Sequence, residues 1–148
     1  MVWRVTKAER KKAGRTVYQV WPTPMQADDE AMMLAASGSG VEEVSTRNLV
    51  LKWPLTAGDQ WVGGGHVREG QLPPAFKVLS VGQACAIASK TFQDCAVVEE
   101  TDQGTRLRTI TTYARGVGPV EYRYFRIGQG GKQEEVQTVR LDKCRIAH

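Results

Sequence analysis

Cys85 and Cys95 sit five residues on either side of Lys90, in a stretch patterned as strand, small-residue turn, strand. In a hairpin that spacing sets the two roughly opposite each other, within bridging range in a favourable register. Two states satisfy the pattern. An exported protein would form the disulfide, and a cytosolic one would keep small reduced side chains packed in a β core. Cys144 lies beyond the last strand pattern and is left over as a free thiol in the first case. The three cysteines lack the close-spaced pair of a zinc site, so no metal is expected.

The remaining chemistry-bearing residues form no catalytic constellation. His148 is the terminal residue and reads as frayed, and His66, which follows Gly63-Gly64-Gly65 with no second histidine or cysteine near it, reads as a solvated loop histidine. No Gly-x-Ser-x-Gly elbow presents a nucleophile, and Ser39, between Gly38 and Gly40, reads as a turn residue. Gly63–Gly65 and the Gly128–Gly131 run lack the Gly-Lys-Ser/Thr of a phosphate loop. The acid pairs Glu42-Glu43, Glu99-Glu100 and Glu134-Glu135 fall in strand patterns, where neighbours point to opposite faces. No pair can be a carboxylate dyad by itself, and all three read as surface charges that discourage edge pairing. The expectation is a protein without catalytic residues, metal or cofactor.

The tryptophans Trp3, Trp21, Trp53 and Trp61 all lie in the first half of the chain, and Trp53 and Trp61 bracket the Pro54-Leu55 corner. Core packing is the plain reading for an indole. The other reading is an aromatic wall facing a ligand or partner, to which Trp53, Trp61, Tyr122 and Tyr124 would contribute.

The elements that must position these side chains are strands. Val2–Thr6 and Thr16–Trp21 read as a hairpin joined by Lys7–Arg15 and ended by Pro22. Asp28–Ala36 has the propensity for a helical turn or two, but the Gly-Ser-Gly turn that follows favours Met32–Ala36 as a strand paired with Val41–Ser45 across Ser37–Gly40, and Asn48–Trp53 forms a further strand. A regular antiparallel meander spans 76–141, with strands near Phe76–Ile87, Asp94–Glu100, Thr105–Ala114, Val120–Ile127 and Glu134–Leu141. Between two of these strands lies a structural corner, Tyr113 to Pro119, in which Gly116-Val117-Gly118 needs positive φ or close backbone approach. Pro119 in turn restricts Gly118 before it. Mixed alternation, with neither face cleanly polar, points to a twisted sheet partly covered on both sides. The fold class is therefore mainly β with little helix: a single curved antiparallel sheet, half-barrel or sandwich-like meander.

Length and charge bound the rest. The 148 residues suit one β-rich domain, with 1–21 as a basic-tipped N-terminal hairpin. No apolar run approaches the roughly 18 residues of a membrane span, and no signal-peptide core opens the chain. The net charge is +4, but residues 1–15 alone hold six basic side chains against Glu9. One solvated hairpin tip accounts for the excess, which argues against a nucleic-acid surface.

Three boxes carry a resemblance. They are Pro54-Leu55-x-x-Gly58-x-x-Trp61, the Val81–Val97 segment with Cys85, Thr91-Phe92 and Cys95, and Tyr113-Ala114-Arg115-Gly116-Val117-Gly118-Pro119-Val120. In this order the chain resembles, over about residues 40–141, small and mostly exported bacterial β-proteins, often lipoproteins, of unknown function. Members usually begin with a signal peptide and a further strand pair, and carry an aromatic and an aliphatic residue where this chain has Thr112 and Pro119. The resemblance implies a curved antiparallel β-domain in the periplasm or cell envelope and no known chemistry. The leading functional expectation is a non-enzymatic structural or accessory subunit that binds a protein partner or forms a homo-oligomer. The alternative is a carrier that holds a lipid or other small apolar ligand in the hollow of the sheet.

Overall fold

The computed structural model describes residues 2–11, 15–23, 32–65, 69–87 and 89–144, with side chains described for 33–65, 69–87 and 89–140. The chain is mainly β, and no α-helix occurs among the described residues. Among the described residues eleven strands follow in order: β1 Val2–Lys11, β2 Arg15–Thr23, β3 Met32–Ser37, β4 Gly40–Glu43, β5 Leu49–Lys52, β6 Gln60–Val62, β7 Ala75–Ile87, β8 Lys90–Asp102, β9 Leu107–Ala114, β10 Gly118–Ile127 and β11 Gln133–Cys144. A 3-10 turn, Gln129–Gly131, leads into β11.

Two antiparallel ladders, β3–β5 and β6–β11, are joined through the β1–β2 hairpin into the order β5-β4-β3-β2-β1-β11-β10-β9-β8-β7-β6. Neighbours pair antiparallel except at β1 with β11, which run parallel. The hairpin is longer than its sequence suggested. Lys7–Lys11 continue the first strand instead of forming the turn, and Pro22 is paired with Trp3. The side chains of Trp3, Trp21 and Cys144, and all of His66 and His148, lie outside the described residues.

The sheet curls without closing into a barrel. Leu34 on β3 and Val50 and Leu51 on β5 share one core with Phe76 and Val78 on β7, Val98 on β8, Tyr113 on β9 and Val120 on β10. Apolar residues alternate inward along the central strands, so folding the short ladder over the long one removes both apolar faces from water together. The two free edges meet through side chains. The Trp61 indole N–H on β6 donates to the Leu49 carbonyl on β5 at 2.7 Å, and the Gly65 N–H donates to Asn48 Oδ1 at 3.1 Å. Trp61 also stacks on Phe76, with centroids 5.4 Å apart. Gly40 lets β4 approach β5 closely: its φ is 148°, and a Cβ there would collide with the Leu51 carbonyl oxygen.

The outward face of the long ladder is polar and internally matched. Arg108 donates to Glu99 and to Gln133, and Arg123 pairs with Glu135 at 3.1 Å. Both guanidinium groups lie over the Phe125 ring, 5.8 and 5.1 Å from its centroid. Cys85 and Cys95 are joined in a disulfide across β7 and β8, with Cα atoms 6.1 Å apart.

Candidate functional site

A cleft of about 760 Å³ opens on the curled sheet. Each of the three sequence boxes contributes to it. Trp53 lies beside the first box, which supplies Pro54 and Leu55; the second gives Val81 and Cys95, and the third Tyr113, Ala114 and Gly116. Leu51 and Ala96 complete an apolar wall. Trp53 is 40% exposed, and its indole N–H donates to the Ser37 carbonyl at 3.2 Å. The ring is thus held by its polar edge beside the cleft, which suits a contact surface better than a core residue.

The corner after β9 forms the rim. Gly116 and Gly118 have φ of 74° and 106°, values that favour glycine, and the Val117 N–H closes the turn on the Ala114 carbonyl at 3.1 Å. Arg115 pairs with Asp94 at 3.1 Å, mostly in solvent, where such a pair contributes little to stability. Val117 packs on the core, and Pro119 is buried opposite Tyr113.

Tyr113 divides the cleft from a second, smaller cavity of about 230 Å³ between the two ladders. This inner cavity is lined by Leu34, Val50, Thr109, Thr111 and the phenols of Tyr113, Tyr122 and Tyr124, together with the carboxyls of Glu43 and Glu100. Both carboxyls also line a polar cleft of about 570 Å³ toward Asn48, Gln71, Asp102 and Thr105. One member of two of the acid pairs therefore faces inward, which corrects their reading as surface charges. Strand alternation separates Glu42 from Glu43 and Glu99 from Glu100, but curling brings the inner member of each pair to one hollow. Glu42 and Glu99 are matched instead to Arg47 and Arg108.

Local structure positions each inner carboxyl differently. Glu43 ends β4 at a turn closed by its own N–H on the Asn48 carbonyl, and its oxygens accept hydroxyl bonds from Ser45 and Thr46, each 3.0 Å. Glu100 sits on β8 in phase with Val98, opposite Thr109. Burial raises its pKa from 4.5 to about 7, and the nearby charges of Glu43 and Asp102 add to the rise. Burial also opposes the charge of Asp102, but the Gly104 and Thr105 N–H groups and the Thr105 hydroxyl outweigh it and hold that carboxyl below its usual range. Burial pushes Tyr124 up to about 12 and raises Tyr113 and Tyr122 further, so all three phenols are neutral donors at physiological pH.

The four expected ligand-facing or partner-facing aromatics separate by place. Trp53 lines the apolar cleft, Tyr122 and Tyr124 line the inner cavity, and Trp61 clamps the two sheet edges. Among the described residues no group of three histidine, cysteine or acidic side chains could hold a metal ion, and no helix is long and apolar enough to cross a membrane. Comparison with family models, with curated proteins and with solved structures finds no match to the chain.

Proposed function

We propose that this domain binds a small apolar or amphipathic molecule in the cleft beside Trp53. One observation carries the reading: a cleft of about 760 Å³ is walled by the apolar side chains of Leu51, Trp53, Leu55, Val81 and Ala96. Ligand sites are commonly concavities of roughly 300–1,000 Å³ with apolar walls and a few polar groups. Here the polar groups stand at the rim, in Asp94 and Arg115. The reading is a carrier or sensor and not an enzyme, since the cleft walls offer no nucleophile paired with a base.

The Cys85–Cys95 disulfide supports an oxidising compartment, consistent with the resemblance to exported bacterial β-proteins. Native mass spectrometry of protein purified from its source tests the reading. A retained apolar molecule, lost in a Leu55→Arg variant that still folds, is the expected result. A ligand-free spectrum under non-denaturing conditions, together with no uptake of added lipid, would remove the proposal.

A second reading is accessory binding to a protein partner, favoured by the edge of β7. β6 pairs only with Ala75–Lys77, and the loop at Gly58 and Asp59 covers Val78. From Leu79 to Ile87 no described strand covers that edge. Register shifts on both sides of Val81 and the positive φ of Gly82 bend this edge, which works against strand addition. The cleft is therefore the favoured reading.

A further inference from the structure

Glu43 and Glu100 belong to different ladders, and the cavity they share lies between those ladders. Glu43 ends β4 of the short ladder, held by the hydroxyls of Ser45 and Thr46. Glu100 projects from β8 of the long ladder. We propose that this facing pair is a pH-sensitive clasp: one proton on Glu100 lets the short ladder close over the long one, and its loss drives the two apart.

The groups facing Glu100 leave little else to neutralise it. From β4 comes Glu43, from its own strand Asp102, and from β9 and β10 the phenols Tyr113, Tyr122 and Tyr124, which burial keeps neutral. No basic side chain lines this cavity or the polar cleft that meets it among the described residues. Ionised, Glu100 would face like charge across a poorly solvated gap. Protonated, it carries no charge and becomes a hydrogen-bond donor in a cavity whose lining includes Glu43 and hydroxyl groups. The residue is half-buried, and that burial, with the charges of Glu43 and Asp102, pushes its pKa up to about 7, so the change falls within the physiological range.

The short ladder is tied to the edge of the long one by the Trp61–Leu49 and Gly65–Asn48 bonds and by the shared apolar core. Asn48 also lines the polar cleft with both carboxyls, so loss of the proton strains a contact next to it. The clasp does not depend on the cleft beside Trp53 holding a ligand.

Amide hydrogen exchange at pH 6 and pH 8, corrected for intrinsic rates, tests the clasp on the intact chain. Protection of β4, β5 and β6 should fall about tenfold or more at pH 8, while β9 and β10 keep theirs. Glu100→Gln should hold the pH 6 protection at both values, and Glu43→Gln should move the transition to lower pH. Equal protection of β4–β6 at both values would overturn the clasp. So would a fall shared equally by β9 and β10, or a pH response that survives in both variants. Should Glu100→Gln fail to fold, the Glu43→Gln shift alone decides.

Discussion

The indole N–H of Trp61 reaches the Leu49 carbonyl at 2.7 Å, so the first and last strands in the order of this sheet are tied by one side chain. The backbone ladder between β5 and β6 is missing, and the tryptophan stands in for it. Because its ring also stacks on Phe76, the same residue seals the core below the join. Trp61→Phe keeps most of the stacking and deletes the hydrogen bond. It should cost about 1–2 kcal/mol, as expected for leaving a half-buried carbonyl without that partner. Denaturant unfolding checks this; an unchanged midpoint would mean that the edges are held elsewhere.

The Cys85–Cys95 bridge closes a loop of ten residues between β7 and β8, beside the cleft. Chain-entropy arguments give such a bridge about 2–3 kcal/mol. Reduction, or replacement of both residues by serine, should lower the melting temperature by several degrees. Unaltered melting after complete reduction would show that the bridge contributes nothing.

Gly118 has open space where a Cβ would stand, so any cost of substitution there arises from backbone strain and not from collision. With φ at 106°, Gly118→Val should destabilise the domain by roughly 1–3 kcal/mol. Gly116→Val, at 74°, should cost about 1–2 kcal/mol. Full stability combined with lost ligand binding in either variant would make the corner functional and not architectural.

Glu100 predicts a pH dependence whose sign follows from its raised pKa. Between 4.5 and about 7 the unfolded chain has released this proton while the folded chain retains it. The stability contributed is fully present below 4.5 and is lost as pH rises to about 7. At about 1.4 kcal/mol per pH unit the loss amounts to about 3 kcal/mol. Glu100→Gln should therefore match the wild type near pH 4.5 and exceed it by up to that amount at pH 8. Parallel stability curves for the two proteins across this range would show that Glu100 titrates normally.

Much of the fold is legible in the residues themselves. Ser37-Gly38-Ser39-Gly40 marks the β3–β4 hairpin, and valine and aromatic runs mark β7 through β11, because turn chemistry and period-two burial are local. β6 escapes notice because Gln60–Val62 is too short to alternate; it is a strand only through pairing with β7. The inner carboxyls escape for a different reason. Alternation places Glu100 in phase with Val98, a buried valine, and that signal is present in the sequence. What no single strand reveals is that curling brings Glu43 to the same hollow. Trp53 and Trp61 look alike in sequence, and only the position of the sheet edge assigns one to the cleft and the other to the join.

The most direct test of the central claim is equilibrium binding of the apolar probe N-phenyl-1-naphthylamine, followed by its fluorescence, to the wild type and to Leu55→Arg. Saturable binding at one site per chain is expected, weakened at least about tenfold by a charge in the cleft wall, with thermal melts confirming that the variant folds. Absence of saturable binding, or equal affinity in the two proteins, would contradict a ligand site beside Trp53.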